Sequence, residues 1–331
     1  MGDTGGTGAA KPPQAGADGK AKKLPHAVWK KVLDSYLKQN DIYAFASACK
    51  QFRDLQKTAR PKRKLITDME ECLNSKTTFS SDWFKWAFES MQEDEDCSDT
   101  VKLNLMRLAA SQGNLAVLKW LRFRGCPWNE WTCSRAALGG HLEILQWLQA
   151  QGCPWNAYAC EAAASKGHLD ILKWLKQQNC NWNVWTCSRA ALGGHLEVLK
   201  WLRAEGCPWN AYTCEGAASG GHLEVLQWLR ENGCPWNERT CGGAAREGHL
   251  HILRWARENG CKWDTTSCTY AAQEGHLAVL QWLRSQGCPW DNWTFSAAAL
   301  HKNIEVLEWC KRNGCPTKKR KATEDPPTQP E

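Results

Sequence analysis

From Met106 to Cys315 the chain alternates short apolar clusters with glycine-containing breaks at an unvarying period of 27 residues. The unit from Thr186 to Asn210 shows the pattern best. Thr186 starts a short helix in which Ala190 and Ala191 permit close packing, and Gly193-Gly194 ends it. A second helix is predicted from Leu196 to Ala204, with Leu196, Leu199 and Leu202 on its apolar side and Val198 and Trp201 flanking. Gly206 supplies a left-handed C-cap, and Pro208 prevents the helix from restarting. Each unit is a helical hairpin too short to bury its own apolar face, so stacking of neighbours must complete the core. The expected fold is an all-α helical-hairpin solenoid of about eight 27-residue repeats over residues 106–315, preceded by a small helical domain.

Three further columns keep the same period. Fifteen of the 21 tryptophans lie either in the second helix (Trp201 and its copies) or in the following loop (Trp209 and its copies), which favours a structural role over a ligand cage. Fourteen of the 18 cysteines form two columns, headed by Cys126 and Cys133. Equivalent residues of adjacent repeats stand about 10 Å apart, too far for disulfides, so buried free thiols are expected. The helix-junction column reads Asn114, His141, His168, His195, His222, His249, His276 and Asn303. A metal ligand does not exchange for Asn without loss. A residue that caps the second helix or pins the inter-helix turn does, so these positions are read as structural. Cys180, Cys187 and His195 also lack the close cysteine knuckle of a structural zinc site. With no nucleophile elbow, phosphate loop or paired carboxylates, the expectation is no cofactor, no metal and no enzyme.

Outside the repeats the composition changes. Residues 1–23 carry few large apolar side chains and read as a disordered basic tail. Residues 24–60 hold apolar positions at three- and four-residue intervals and read as short helices, with Pro25 opening the first. Residues 61–105 read as a linker and an irregular helical cap that includes Trp83, Phe84, Trp86 and Phe88, and residues 316–331 as a disordered tail. Net charge is +9 over residues 1–64 and −8 over 65–100, out of +7 for the chain. The basic front lacks any accompanying zinc finger, helix-turn-helix pattern or aromatic platform, so nucleic acid is not the favoured partner. The runs Arg60–Lys64 and Lys318–Lys321 read equally as nuclear import signals or solvated charge. No signal peptide or membrane span is visible, and a monomeric protein of the cytoplasm, the nucleus or both is expected.

The stretch Ala190-Ala191 to Leu202, followed by Gly206 and Asn210, resembles the ankyrin repeat, and it recurs eight times over about 210 residues. Ankyrin repeats have a period of 33 with a β-turn. Here six residues are missing between Asn210 and Thr213, where the ankyrin hairpin would project. The resemblance implies a protein-binding scaffold without the usual hairpin tips. Residues 24–55 resemble an F-box: Leu24-Pro25, an apolar helix, then Cys49-Lys50 and Phe52-Arg53. That likeness implies that Leu24, Pro25, Val28, Leu33, Leu37 and Phe45 dock on the adaptor subunit of a cullin-RING ubiquitin ligase while the repeats select a protein substrate. A packing cap of the solenoid needs similar apolar spacing, so a plain scaffold without a ubiquitin role is the second reading.

Recognition should lie where the period fails. Two first-helix columns vary, and they supply the candidate substrate-binding ribbon: Trp131, Arg135, Tyr158, Trp185, Arg189, Tyr212, Arg239, Tyr270 and Trp293. Aromatic and arginine side chains are the usual carriers of interface energy. Covering the neighbouring repeat is the other role open to these residues.

Overall fold

The computed structural model describes residues 78–92 and 99–317. The F-box-like segment, both basic runs, the N-terminal tail and the C-terminal tail from residue 318 lie outside the described residues. The described chain falls into two compact units. Among the described residues the first contains most of helix α1 (Ser81–Gln92), which buries Trp83, Phe84, Ala87 and Phe88. Phe79 stacks on Trp83 with centroids 4.2 Å apart, ahead of the helix.

The second unit is a run of eight helical hairpins: α2 (Asp99–Ser111) with α3 (Leu115–Phe123), α4 (Glu130–Leu138) with α5 (Leu142–Ala150), α6 (Ala157–Ser165) with α7 (Leu169–Gln177), and α8 (Val184–Leu192) with α9 (Leu196–Ala204). It continues with α10 (Ala211–Ser219) and α11 (Leu223–Glu231), α12 (Glu238–Arg246) and α13 (Leu250–Glu258), α14 (Thr265–Gln273) and α15 (Leu277–Ser285), and α16 (Asn292–Leu300) and α17 (Ile304–Arg312). No strand occurs among the described residues.

The hairpin's boundaries come from capping. Asn183 has an extended backbone, and its Oδ1 accepts from the Trp185 backbone N–H at 2.9 Å. The first helix therefore starts at Val184, two residues before Thr186. Thr186 is instead the third helical residue, buried, with its Oγ1 accepting from the Asn183 N–H at 3.4 Å. Asn or Asp fills this cap from Asn129 to Asp291. Asn210 caps α10 directly, which leaves no residues for a projecting β-hairpin. Both helices end in left-handed glycines: Gly194 at φ +75° and Gly206 at φ +77°, with the Cys207 N–H donating back to the Leu202 carbonyl at 2.8 Å.

Side-chain burial sorts the two helices. In α9 the core residues are Val198, Leu199 and Leu202; Trp201 is half-buried on the flank where the sequence pattern puts it, whereas Leu196 at the helix start is only half-buried and Val198, expected on the flank, is buried. First helices carry small buried residues and pack backbone-close on the first helices of adjacent repeats, while each second helix lies on its own first helix. Gly216 shows how tight that layer is: a Cβ there would stand 2.6 Å from the Ser188 carbonyl oxygen.

Polar links join the repeats. The His195 ring lies 3.2 Å from the Ser165 carbonyl through Nε2, and His141, His168 and His249 repeat the contact at 3.1–3.3 Å. A carbonyl only accepts, so Nε2 carries the proton. None of these histidines caps its own helix with a side-chain bond. His222 and His276 press against Gly194 and Gly248 of the preceding repeat. Asn303 donates from Nδ2 to Ala272 at 2.9 Å and Gln273 at 2.6 Å, whereas Asn114 caps α3 by accepting from the Val117 N–H at 3.1 Å.

The aromatic loop closes each unit. The Arg203 guanidinium sits 3.8 Å from the Trp209 ring centroid and donates to the Cys207 carbonyl at 2.8 Å. Trp209 then meets Trp228 of the next second helix edge-on, centroids 5.9 Å apart. The loop cysteine also bonds inward: Cys207 Sγ–H donates to the Asn183 carbonyl at 3.7 Å. All fifteen described cysteines are buried, so their columns fill the core. Although equivalent cysteines are too far apart to meet, the two columns do approach each other, as when Cys160 Sγ–H donates to Cys180 Sγ at 3.6 Å.

Candidate protein-binding surface

The variable columns lie along the first helices, at the second helical residue and one turn later. Trp131, Tyr158, Trp185 and Trp293 are 39 to 58% exposed, in a layer otherwise built of buried small residues. Arg189 and Arg239 are exposed, and Arg135, Tyr212 and Tyr270 half-buried. Their helix position fixes this: the preceding Asn cap puts the side chain at the helix mouth, and buried Thr and Cys come next in the helix and point inward.

These residues are not independent. Trp131 stacks on Tyr158, centroids 4.5 Å apart and planes 18° from parallel. Trp185 leans on Tyr212 at 4.7 Å and 37°. Arg107 lies 5.9 Å from the Trp131 ring, Arg239 5.0 Å from Tyr212, and Arg246 4.0 Å from Tyr270. The ladder is thus a mixture of aromatic stacks and guanidinium–ring contacts, each worth about 0.5–1.5 kcal/mol. Part of each face covers a neighbour and part remains open.

A second alternation runs beneath it. Ser134 Oγ–H donates to the Tyr158 carbonyl at 3.2 Å, and Ser188 Oγ–H to the Tyr212 carbonyl at 3.0 Å, locking those two steps. The intervening repeats carry Glu161 and Glu215 at the serine's position. Glu161 is buried, its Oε1 accepting from Asn183 Nδ2 at 3.0 Å. Glu215 stands 3.9 Å from the Arg239 guanidinium; burial pushes its carboxyl up, and Arg239 and Arg246 pull it back. Burial likewise lowers Arg107, with Arg135 adding repulsion, and lowers Arg135 itself.

Between Tyr158 and Trp185 the ladder has an open step. A cleft of about 510 Å³ lies there, lined by Asn156, Ala157, Tyr158, Glu161, Asn183, Trp185 and Arg189. Sequence reasoning named Tyr158, Trp185 and Arg189 but missed Glu161, Arg107 and Arg246. The signal for Glu161 was present: Ala157-Tyr158-Ala159-Cys160-Glu161 recurs 54 residues later as Ala211-Tyr212-Thr213-Cys214-Glu215. Among the described residues no group of three or more His, Cys, Asp or Glu is placed to hold a metal ion, and no helix is long and apolar enough to cross a membrane.

The fold is an ankyrin-like helical-hairpin solenoid. The family profile "Ankyrin repeats (3 copies)" matches residues 133–213. Among solved structures, a crystal structure of the human ASB11 ankyrin repeat domain is similar at 18% identity, covering 47% of this chain and 84% of that one, with a TM-score of 0.37. No curated protein sequence matches the chain.

Proposed function

We propose that this protein is an interaction adaptor in which the first-helix ribbon captures a protein partner and the segment 24–60 docks on a cullin-RING ligase adaptor. The observation that supports recognition is the run of exposed Trp131, Tyr158 and Trp185 within a layer of buried Ala, Cys and Thr. Large aromatic side chains at a solvated helix face contribute little to folding and much to association. The ligase role rests on the F-box likeness of Leu24, Pro25, Val28, Leu33, Leu37 and Phe45.

A tagged full-length chain tests both halves. Copurification of a cullin adaptor, lost on deleting residues 24–60 or on Leu24→Ala with Pro25→Ala, supports the ligase role. Absence of that adaptor from the intact complex leaves the non-catalytic scaffold. Loss of the protein partner on Trp131→Ala with Trp185→Ala, but not on changing the exposed second-helix residue Gln146, supports the ribbon.

A further inference from the structure

Among the seven residues that line the cleft, the two copies of the 54-residue duplication differ at two, Trp185 against Arg239 and Arg189 against Gly243. In the second copy, Arg239 fills the step above Tyr212: its guanidinium lies 5.0 Å from the ring centroid and 3.9 Å from the Glu215 carboxylate. In the first copy the same ring and the same acid are present as Tyr158 and Glu161, but the residue equivalent to Arg239 is Trp185. No ion pair forms at Glu161 among the described residues, and Tyr158 and Trp185 make no ring contact. The arginine is missing, and the cleft of about 510 Å³ stands in its place.

We propose that the Tyr158–Trp185 cleft takes an arginine side chain from the protein partner, its guanidinium stacked on Tyr158 and paired with Glu161. The inference rests on the reading of the ribbon as a protein-binding surface and assigns that surface one specific anchor. A planar cation fits the chemistry on three counts. Two aromatic residues offer ring faces, a buried carboxylate supplies the opposite charge, and the chain satisfies the equivalent step with a guanidinium of its own. Lysine lacks the flat, bidentate group such a slot accepts. Arg189, exposed on the rim where the second copy has Gly243, opposes the guest guanidinium only through solvent and offers a donor to an acidic neighbour of the guest arginine. The partner segment is therefore an arginine flanked by an acid.

The test uses the full chain labelled with 5-fluorotryptophan, the Trp185 signal being assigned by its loss in Trp185→Phe. Acetyl-Gly-Arg-Asp-amide is titrated beside its citrulline and lysine counterparts and adenosine monophosphate. The arginine peptide is expected to shift the Trp185 resonance with an affinity about tenfold or more above the citrulline peptide, the worth of one charged hydrogen-bonded contact. Glu161→Gln should lose that preference. Trp185→Arg should fill the cleft from within and abolish binding with the fold intact by circular dichroism, and Arg239→Trp should open a second site and raise the stoichiometry. Equal response to citrulline, preference for the nucleotide, or an arginine preference that survives Glu161→Gln would overturn the proposal. Partner capture that still depends on Trp131 and Trp185 would then show that the ribbon stands and only its arginine anchor fails.

Discussion

The ring of His195 donates from Nε2 to the backbone carbonyl of Ser165 in the preceding repeat, 3.2 Å away. The residue that sits at the mouth of α9 therefore belongs energetically to the joint between repeats. Asn303 reaches the equivalent backbone with its amide, so the chemistry needed is one donor of suitable length. His195→Ala is expected to lower stability by about 1–3 kcal/mol, because it leaves a part-buried carbonyl without its donor. His195→Asn is expected to recover a large part of that loss. Urea unfolding of the three proteins checks both, and equal damage from Ala and Asn would refute the hydrogen-bond account.

Lys302 occupies a left-handed position, φ +58°, where seven equivalent turns from Gly113 to Gly275 use glycine. A side chain there is held against the steric preference of an L-residue. Lys302→Gly is expected to stabilise the array by about 0.5–1 kcal/mol. A melting temperature unchanged or lowered in calorimetry would contradict this.

The hydrogen bond to Cys207 first, and burial second, push the Cys187 thiol well above its ordinary range; Cys160, Cys214, Cys241 and Cys268 behave alike with their loop partners. On the loop partners Cys180, Cys207 and Cys261 the same bond lowers the thiol and outweighs burial, which raises it. A thiol raised on folding favours the folded state fully below its unfolded value, about 8.5. That contribution falls as pH rises beyond it. Stability is therefore expected to decline from about pH 8.5 upward. Iodoacetamide at pH 8 should leave Cys187 unmodified in the folded chain and label it in urea, with peptide mass spectrometry as the readout. Rapid labelling of folded protein would count against the buried pairing.

Arg203 clasps its repeat twice, over the Trp209 ring at 3.8 Å and onto the Cys207 carbonyl at 2.8 Å. Arg203→Met keeps the apolar stem and removes both contacts, with an expected cost of about 1–2 kcal/mol. Arg203→Lys should recover part of it, since Lys176 holds the equivalent place 4.0 Å from Trp182. Chemical denaturation that fails to distinguish Met from Lys would refute the cation–ring component.

Much of this architecture is legible in the chain because stacking repeats write the same constraint many times. The second helix, expected from about Leu196 to Ala204 between Gly194 and Gly206, runs over those residues. The first helix begins two residues earlier than its sequence pattern suggests, because Asn183 looks like the end of a loop whereas its side chain caps α8. The approach of Cys160 to Cys180 is hidden, since column spacing reports distances between repeats and says nothing of distances across one hairpin. Within the ribbon, exposed positions are predictable from irregularity, but the pairing of Trp131 with Tyr158 and the gap before Trp185 depend on the tilt of adjacent rings. No periodicity encodes that tilt.

In the proposed adaptor the first-helix ribbon, and not the second-helix face, receives the protein partner. Photocrosslinking tests this most directly, with p-benzoylphenylalanine at Tyr158 compared with the same group at Gln146 on the exposed side of α5. One discrete protein adduct is expected from position 158, identified by mass spectrometry and suppressed by Trp185→Ala, and none from position 146. The same adduct from both positions, or from position 146 alone, would contradict it.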